Sequence, residues 1–173
     1  VKYLINILTD EDVIEIAFET EDDIVIAKNN IVELIQVKSN TLTSNWSASK
    51  IVDEDIVQKS INRGRFKENV KYVIATSTGV SRDLECLCDE ATIGKRNSKS
   101  INLISEKINK KTTISKNLKQ HGLDEWLQHC HWIIEPNTTN LIEAECFKKL
   151  EEYIHMKYGK LLLPTQKDEL YQQ

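Results

Sequence analysis

Three residues in the first quarter of the sequence carry side chains suited to phosphate chemistry. Asp23 offers a carboxylate, Gln36 an amide oxygen and Lys38 an ammonium group. Hard cations such as Mg²⁺ prefer oxygen ligands, and backbone carbonyls and substrate phosphate commonly complete such a site. A neighbouring ammonium could orient the attacking water and stabilise the negative charge that develops at phosphorus. If the three side chains lie together, the sequence predicts a metal site for hydrolysis at phosphate.

A predicted β-hairpin would bring Asp23 and Gln36 together. Two runs rich in β-branched residues flank Asn29-Asn30, and Asn tolerates the positive φ that two-residue hairpin turns favour. In that register Asp23 lies directly opposite Gln36, with the Cβ atoms of facing residues roughly 4.5 to 5.5 Å apart. Lys38 follows onto the same side because side chains alternate along a strand. The hairpin therefore predicts one polar face that carries all three groups.

Other acidic residues near the hairpin leave alternatives open. A slip of the register by one residue would make Asp22 the ligand instead of Asp23. Glu19 would face Asp23 if residues 20–22 form a three-residue loop, and it would then be a candidate to support the metal. Glu33 is interpreted as a surface carboxylate. The polar triad could also be solvent-facing charge alone, since lysine near an edge strand prevents edge pairing.

The elements that would hold this hairpin are a mixture of strands and helices. Ser81 is expected to cap a helix with Leu84 and Leu87 in its apolar stripe, and Gly122 is expected to end the helical segment. The order of elements predicts an α/β fold, with a mixed β-sheet flanked by helices. Apolar patterns predict strands over 13–19, 23–27, 31–38, 69–76 and 131–135, and helices over 1–8, 53–65, 81–91, 99–119, 123–128 and 141–156.

The composition indicates one folded domain and excludes a disordered or membrane-spanning chain. The 173 residues have a mass of 20.0 kDa, and 40% of them are hydrophobic, which is enough to bury a core. No apolar run approaches the roughly 20 residues that cross a bilayer. No signal peptide is visible and the cysteines are few, so we expect reduced thiols and a cytoplasmic location. Both ends look cut, and we expect residues 1–173 to be a single domain of a longer multidomain protein.

Cysteine, histidine and tryptophan residues offer further candidates for a site, but their spacing does not favour one. Cys86–Cys88 and His129–His131 lack the CxxC or HxxxH spacing of a strong zinc site. We therefore interpret the cysteines as structural. Trp46, Trp126 and Trp132 are interpreted as core or cap residues rather than platforms on which bases stack.

Charge is distributed unevenly along the chain, although the net charge is only -4. Residues 1–27 contain eight carboxylates and one lysine, whereas residues 95–120 contain eight bases and one glutamate. Acids near a metal and bases near phosphates would suit an enzyme that acts on a polyanion, and two solvated faces would give the same pattern. The candidate nucleic-acid contacts are Lys59, Arg63, Lys95, Arg96, Lys99, Lys110 and Lys111.

The residues of the hairpin resemble those of a known superfamily. Asp23 followed by Gln-Val-Lys at 36–38 is similar to the D…(E/Q)xK core of the PD-(D/E)xK nucleases. More narrowly, the runs 18–26 and 35–39 with Trp46 resemble the nuclease domain of anti-phage effectors of the CD-NTase-associated protein four type. The resemblance extends to two later segments, 71–77 and 132–136.

This resemblance implies a restriction-endonuclease-like fold and a metal-dependent active site. Asp23 would ligate Mg²⁺ or Mn²⁺, Gln36 would take the place usually held by a glutamate ligand, and the Val37 carbonyl would also contribute. Lys38 would be the catalytic lysine. Because glutamine removes one negative charge, cation affinity would be low until a phosphate backbone completes the shell.

The function implied is that of an endonuclease that cuts double-stranded DNA with little sequence specificity, as the effector domain of a bacterial anti-phage protein. A sensor or ATPase domain would follow in the same chain, homo-oligomers are compatible with this arrangement, and no membrane partner is expected. The alternative is a catalytically inactive module with the nuclease fold that binds nucleic acid or a partner domain.

Overall fold

The computed structural model describes residues 10–20, 23–38, 44–64, 69–111, 120–135 and 139–159. The chain divides into two compact units, one of residues 13–136 and one formed by residues 1–12 and 137–173. The helix predicted over 1–8 lies outside the described residues. The larger unit contains the sheet and the candidate site.

The larger unit is built on a five-stranded mixed sheet. Its strands are β1 (Val13–Thr20), β2 (Asp23–Lys28), β3 (Val32–Lys38), β4 (Val70–Thr76) and β5 (Cys130–Ile134). They lie side by side in chain order. The β1–β2 and β2–β3 pairs are antiparallel, whereas β3–β4 and β4–β5 are parallel. The predicted mixed sheet and its five strands are therefore confirmed.

The helices lie between the strands along the chain. The larger unit has α1 (Ala48–Asp53), α2 (Ile56–Gly64), α3 (Ser98–Lys111) and α4 (Gln120–His129), with two short 3₁₀ turns at Glu85–Leu87 and Glu90–Thr92. The smaller unit contains α5 (Thr139–Tyr158). None of the helices in the described ranges is long and apolar enough to cross a membrane.

One face of the sheet packs against α1 to α4 to form the core of the larger unit. Leu34 on β3, Ile74 on β4 and Trp132 on β5 all point to this face, because side chains alternate between the two faces along each strand. Trp46 and Trp126 are buried among them, and the ring centroids of Trp46 and Trp132 are 5.8 Å apart. The interpretation of all three tryptophans as core residues is confirmed.

The turn between β2 and β3 contains two residues, Asn29 and Asn30, as predicted. A hydrogen bond of 3.0 Å from the Lys28 N–H to the Ile31 carbonyl closes it. Positive φ among the described non-glycine residues occurs at Asp55 and Asn69. The predicted turn is therefore present, and neither of its asparagines adopts positive φ.

The helix predicted over 53–65 begins later than expected. Asp53 is the last residue of α1, and α2 begins at Ile56. Between the two helices Asp55 has a φ of 56°, in the left-handed region that does not continue a right-handed helix. Ile56 and Val57 of this helix are buried in the core, and Ile61 is partly buried against it.

Two further helix boundaries were predicted wrongly. From Ser81 onward the chain forms the two 3₁₀ turns rather than an α-helix. Leu84 and Leu87 are buried all the same, because residues three apart also align in a 3₁₀ helix. Gly122 lies inside α4 rather than at a helix end, so packing outweighs the roughly 1 kcal/mol that glycine costs there.

Candidate active site

The antiparallel pairing of β2 with β3 places Asp23 directly opposite Gln36. The same register holds along the whole hairpin, with Ile24 opposite Ile35 and Ala27 opposite Val32 at its other end. The predicted register is confirmed. A one-residue slip, which would have aligned a different acid with the amide, does not occur.

Gln36 departs most clearly from what a protein core requires. Its side chain is only 4% exposed, and its Oε1 finds no hydrogen-bond partner within the described part of the chain. A buried polar atom left without a partner costs roughly 1 to 3 kcal/mol, so the fold gains nothing from this oxygen. A hard cation would satisfy it, since amide oxygens are suitable ligands. The side chain therefore fits a divalent metal site.

Lys38 ends β3 at the carboxyl edge of the parallel part of the sheet. It is two residues beyond Gln36, which places both on the same face, and it pairs with Thr76 at the end of β4. The Thr76 hydroxyl accepts a hydrogen bond of 3.0 Å from Trp46 Nε1, which ties the segment before α1 to this edge. Ligands of α/β sheets commonly bind outside the carboxyl ends of the strands, and Lys38 lies at such an end.

For the acidic residues of the site, the structure describes at most the backbone position and not the side chain. The side chains of Asp23 and Glu19, and the whole of Asp22, lie outside the described residues. The pairing of β1 with β2 places Thr20 opposite Asp23 and has a register shift between Phe18 and Thr20. The alternative in which Glu19 faces Asp23 across a three-residue loop does not occur, because Thr20 is the partner of Asp23 and Glu19 occupies the irregularity. Bulges of this kind are frequent next to active sites, where they re-aim a side chain.

Val37 can contribute its backbone rather than its side chain to the site. Its side chain is 41% exposed and projects to the face opposite Gln36 and Lys38. In the parallel ladder it pairs with Ala75. The role of its carbonyl as a metal ligand stays a prediction.

The interpretation of Glu33 as a surface carboxylate is wrong. Its side chain is 3% exposed on the sheet face opposite Gln36, and its Oε1 lies 3.3 Å from Lys71 Nζ and 3.6 Å from Lys28 Nζ. Lys71 Nζ also lies 2.5 Å from the Glu90 carboxylate, and this hydrogen bond lowers the pKa of Glu90. Sequence spacing could not reveal this cluster, because the parallel partner of Glu33 comes from a distant segment.

The candidate nucleic-acid contacts divide into exposed and buried side chains. Arg96 is only 5% exposed. It donates hydrogen bonds of 3.2, 2.7 and 2.7 Å to the backbone carbonyls of Cys86, Leu127 and Gln128. The prediction that Arg96 contacts nucleic acid is therefore wrong, since its guanidinium joins three backbone segments. Lys59, Lys95, Lys99 and Lys110 are exposed, Arg63 is partly exposed, and the side chain of Lys111 lies outside the described residues.

The cysteines lie in or beside the core. Burial raises the pKa of Cys86 and of Cys88, and it raises the pKa of the fully buried Cys130 further. A thiol with a raised pKa stays protonated at neutral pH and is a weak nucleophile. Among the side chains that the structure describes, which do not include that of Asp23, no group of three or more His, Cys, Asp or Glu residues could hold a metal ion.

The mixed sheet and the order of acid, amide and lysine along its hairpin agree with the PD-(D/E)xK class of nucleases. The match is more specific than the class. The chain belongs to the family described as "Cap4, dsDNA endonuclease domain", which matches residues 1–173. No curated protein matches the sequence.

Solved structures share the fold. The chain resembles the Acinetobacter baumannii Cap4 SAVED/CARF-domain containing receptor with the cyclic trinucleotide 2'3'3'-cAAA, with a TM-score of 0.58 and 19% identity over 99% of this chain and 37% of that one. The Moraxella osloensis Cap4 SAVED/CARF-domain containing receptor gives a TM-score of 0.56 and 15% identity, over 99% of this chain and 39% of that one. The chain thus spans well under half the length of either receptor.

Proposed function

We propose that this Cap4-family DNA endonuclease domain cuts double-stranded DNA at a metal site formed by Asp23 and Gln36, with Lys38 as the catalytic lysine. The observation that carries the proposal is the buried Gln36 oxygen, which lies opposite Asp23 and has no partner in the described ranges. A hairpin with only a structural role would gain stability from an apolar residue at this position. The family match supports the DNA substrate.

Each residue of the site has a distinct part in the proposed mechanism. A bound Mg²⁺ or Mn²⁺ would supply Lewis acidity toward a phosphate oxygen and lower the pKa of a water molecule. Asp23 would bring the negative charge that holds a cation, Gln36 a neutral oxygen ligand, and Val37 its carbonyl. Lys38 would donate a hydrogen bond to the attacking water or to the phosphate oxygen on which charge develops.

The glutamine at position 36 makes the proposed site weaker for a free cation than a site with two carboxylates. One negative charge is missing, so Coulomb attraction to the ion is smaller. A DNA phosphate that enters the site restores this charge. Metal and DNA should therefore bind cooperatively, and each should raise the apparent affinity of the other.

The exposed lysines of α2 and α3 would hold the DNA backbone. Lys59, Lys99 and Lys110 are exposed. Contacts to phosphate are independent of sequence and weaken steeply as salt rises. The proposed enzyme therefore has little sequence specificity, and its activity should fall strongly between low and moderate ionic strength.

The proposal for the whole protein goes beyond this domain. The related receptors carry a SAVED/CARF domain by their description, and this chain spans 37% to 39% of their length. We propose that the domain is the effector part of a bacterial anti-phage protein, acts in the cytoplasm, and is linked to a sensor domain that controls cutting. Homo-oligomers that bring several nuclease domains to one DNA molecule are part of the same proposal.

Cleavage of supercoiled plasmid tests the proposed function. We expect the chain to nick and linearise the plasmid with Mg²⁺ or Mn²⁺ and to be inactive in excess EDTA. Asp23→Ala and Lys38→Ala should each reduce the rate by about a thousandfold or more, because each removes a group that acts at the reacting phosphate. Thermal melting serves as the folding control for both variants.

Three outcomes would contradict the proposed function, and each favours a different alternative: another active site, an inactive binding module or another nucleic-acid substrate. Cleavage that survives both substitutions would place the activity elsewhere. A folded wild-type chain that binds DNA but never cuts it would favour the inactive binding module. Parallel reactions on RNA and on single-stranded DNA define the substrate class, and faster cutting of either would contradict the preference for double-stranded DNA.

A further inference from the structure

A second buried polar group without a hydrogen bond lies at the same end of the sheet. Lys50 is on α1, and its Nζ is buried with no hydrogen-bond partner among the residues that the structure describes. The ammonium lies over the ring of Trp46, 4.6 Å from the ring centroid. An ammonium has three N–H donors, and an aromatic face does not replace three hydrogen bonds.

The ring of Trp46 connects Lys50 to the candidate active site. Trp46 Nε1 donates its hydrogen bond to Thr76 Oγ1, and Thr76 is the strand partner of Lys38. The same ring packs against Trp132. These contacts place the Lys50 ammonium near the carboxyl ends of β3 and β4, where Lys38 and Thr76 lie.

A second path of strand pairs leads from Trp132, whose Nε1 is also without a partner in the described ranges, to the unpartnered Oε1 of Gln36. Trp132 pairs with Ile74 across β5 and β4, and Ile74 pairs with Gln36 across β4 and β3. Trp46, whose ring lies against the Lys50 ammonium, packs against Trp132. Trp132 is the first residue of the row of strand partners that ends at Gln36. One end of the sheet therefore holds a cationic donor and a neutral acceptor that are both buried and both without a partner in the described ranges.

Several hydrogen bonds fix the position of the segment that carries Lys50. Ser47 caps α1 and accepts from the Lys50 backbone N–H at 3.3 Å. Asp83 Oδ2 accepts from the Ala48 N–H at 3.3 Å and from Lys107 Nζ at 3.2 Å. A side chain held on such a rigid element is preorganised, which favours binding over a flexible surface lysine.

We propose that Lys50 donates to a non-bridging oxygen of a DNA phosphate bound at the Asp23–Gln36–Lys38 site. This inference rests on the proposed function and adds a phosphate-binding residue to it. The phosphodiester supplies the anion that the buried ammonium lacks, while the metal ion satisfies the amide oxygen of Gln36. The alternative is a structural role, in which Lys50 serves only to cover Trp46.

Lys50→Met separates these two roles, because methionine keeps the length of the side chain but removes its charge. DNA affinity is measured by fluorescence anisotropy with a short duplex and Ca²⁺ in place of Mg²⁺, which leaves Asp23 and Gln36 in place while no substrate is consumed. We expect Kd to rise about tenfold, and the slope of log Kd against log salt concentration to fall by about 0.9, the value for one lost phosphate contact. Lys50→Arg should recover part of the affinity.

Thermal melting of the same variant gives a second, independent readout. Removing a buried ammonium without hydrogen bonds relieves a desolvation cost, so Lys50→Met should keep or raise the Tm. A lowered Tm with unchanged DNA affinity would show the structural role and overturn the inference. Lys148→Met is the control for loss of one positive charge, since Lys148 is exposed on α5 and 4.0 Å from Glu152; its salt slope should not change.

Failure of this inference and failure of the proposed function give different results. If Asp23→Ala abolishes cleavage but Lys50→Met leaves Kd and salt slope unchanged, only the role of Lys50 is wrong. If Asp23→Ala and Lys38→Ala cut normally, the proposed active site itself is wrong. The binding measurement does not depend on cleavage, so it tests Lys50 in both cases.

Discussion

Each face of β3 buries one polar side chain, but on only one face does a side-chain oxygen have hydrogen-bonding partners in the described part of the chain. Glu33 and Gln36 lie three residues apart on this strand, on opposite faces, and are 3% and 4% exposed. Glu33 forms ion pairs with Lys71 and Lys28, and Lys71 also pairs with Glu90. The oxygen of Gln36 has no such partner in the described part of the chain. The paired cluster stabilises the fold, whereas the unpaired oxygen costs stability and indicates a binding role.

Of substitutions at Glu33 and Gln36, Gln36→Leu should have the largest effect, because it removes the unpartnered oxygen but keeps the bulk of the side chain. Cleavage should fall by about a hundredfold or more at fixed metal concentration, since one of the metal ligands is lost. The free energy of unfolding should stay the same or rise, because a buried polar atom is replaced by an apolar one. Plasmid cleavage and urea denaturation measure the two quantities. A variant that loses stability but cuts normally would contradict the account.

Glu33→Leu on the other face should show the reverse pattern. It removes one of the two carboxylates that Lys71 contacts and leaves Glu90, so the unfolding free energy should fall by about 2 kcal/mol, the value for one hydrogen bond to a charged group. Cleavage measured well below the melting temperature should change little. Lys71→Leu added to Glu33→Leu should recover part of the stability, because a pair of apolar residues often replaces a buried ion pair at small cost. Loss of cleavage in a folded Glu33→Leu chain would place Glu33 in the active site.

A smaller change is expected from Gln36→Glu, which adds a carboxylate at this position. The added charge should lower the Mg²⁺ concentration for half-maximal cleavage by about tenfold, because Coulomb attraction to the ion increases. Titration of Mg²⁺ in the cleavage assay measures this directly. The cooperativity between metal and DNA should weaken as well. An unchanged metal requirement would argue against Gln36 as a ligand.

The smallest effect is a dependence of stability on pH that comes from the face of the sheet that carries Glu33. Burial lowers the pKa of His131, although the Glu90 carboxylate opposes this shift, and Lys71 and Arg96 add to it. The unfolded chain therefore binds a proton at a higher pH than the folded chain, and stability should decline as pH falls below about 6.5. His131→Phe should flatten this part of the curve of urea midpoint against pH. An equally steep curve in the variant would exclude His131 as its source.

Glu90 should add to the loss of stability at lower pH. Its pKa is lowered chiefly by the hydrogen bond from Lys71, so its stabilising effect is present above the unfolded pKa and disappears as pH falls through the folded value. Glu90→Gln should therefore reduce the acid sensitivity below about pH 4.5. It should also enlarge the step attributed to His131, because the Glu90 carboxylate opposes the lowering of the pKa of His131. Its side chain is 65% exposed, which keeps the effect small.

The sequence was sufficient for features that depend on local pattern. Alternation of apolar residues predicted the strands, and the two-residue Asn29-Asn30 loop set the register that places Asp23 opposite Gln36. These predictions succeeded because hairpin pairing is determined by the turn and by residues close in sequence. The position of Gln36 opposite Asp23 could be predicted for the same reason.

Features that depend on distant segments could not be predicted. Glu33 meets Lys71 through a parallel pairing across a long connection, and Arg96 is buried because Leu127 and Gln128 offer it carbonyls. The Ser81 segment has a spacing of leucines that suits both an α-helix and a 3₁₀ turn. In each case tertiary packing selected one of several structures that the local sequence allowed.

The position of the metal ion is the central claim, and it can be mapped without reference to DNA cleavage. Fe²⁺ placed in the site generates hydroxyl radicals with ascorbate and peroxide, and these cut the polypeptide close to the ion. We expect fragments that end near Asp23 and near residues 36–38, lost in Gln36→Leu and suppressed by excess Mg²⁺. Cuts near Glu33 and Glu90 instead, or cuts that Gln36→Leu leaves unchanged, would contradict the account.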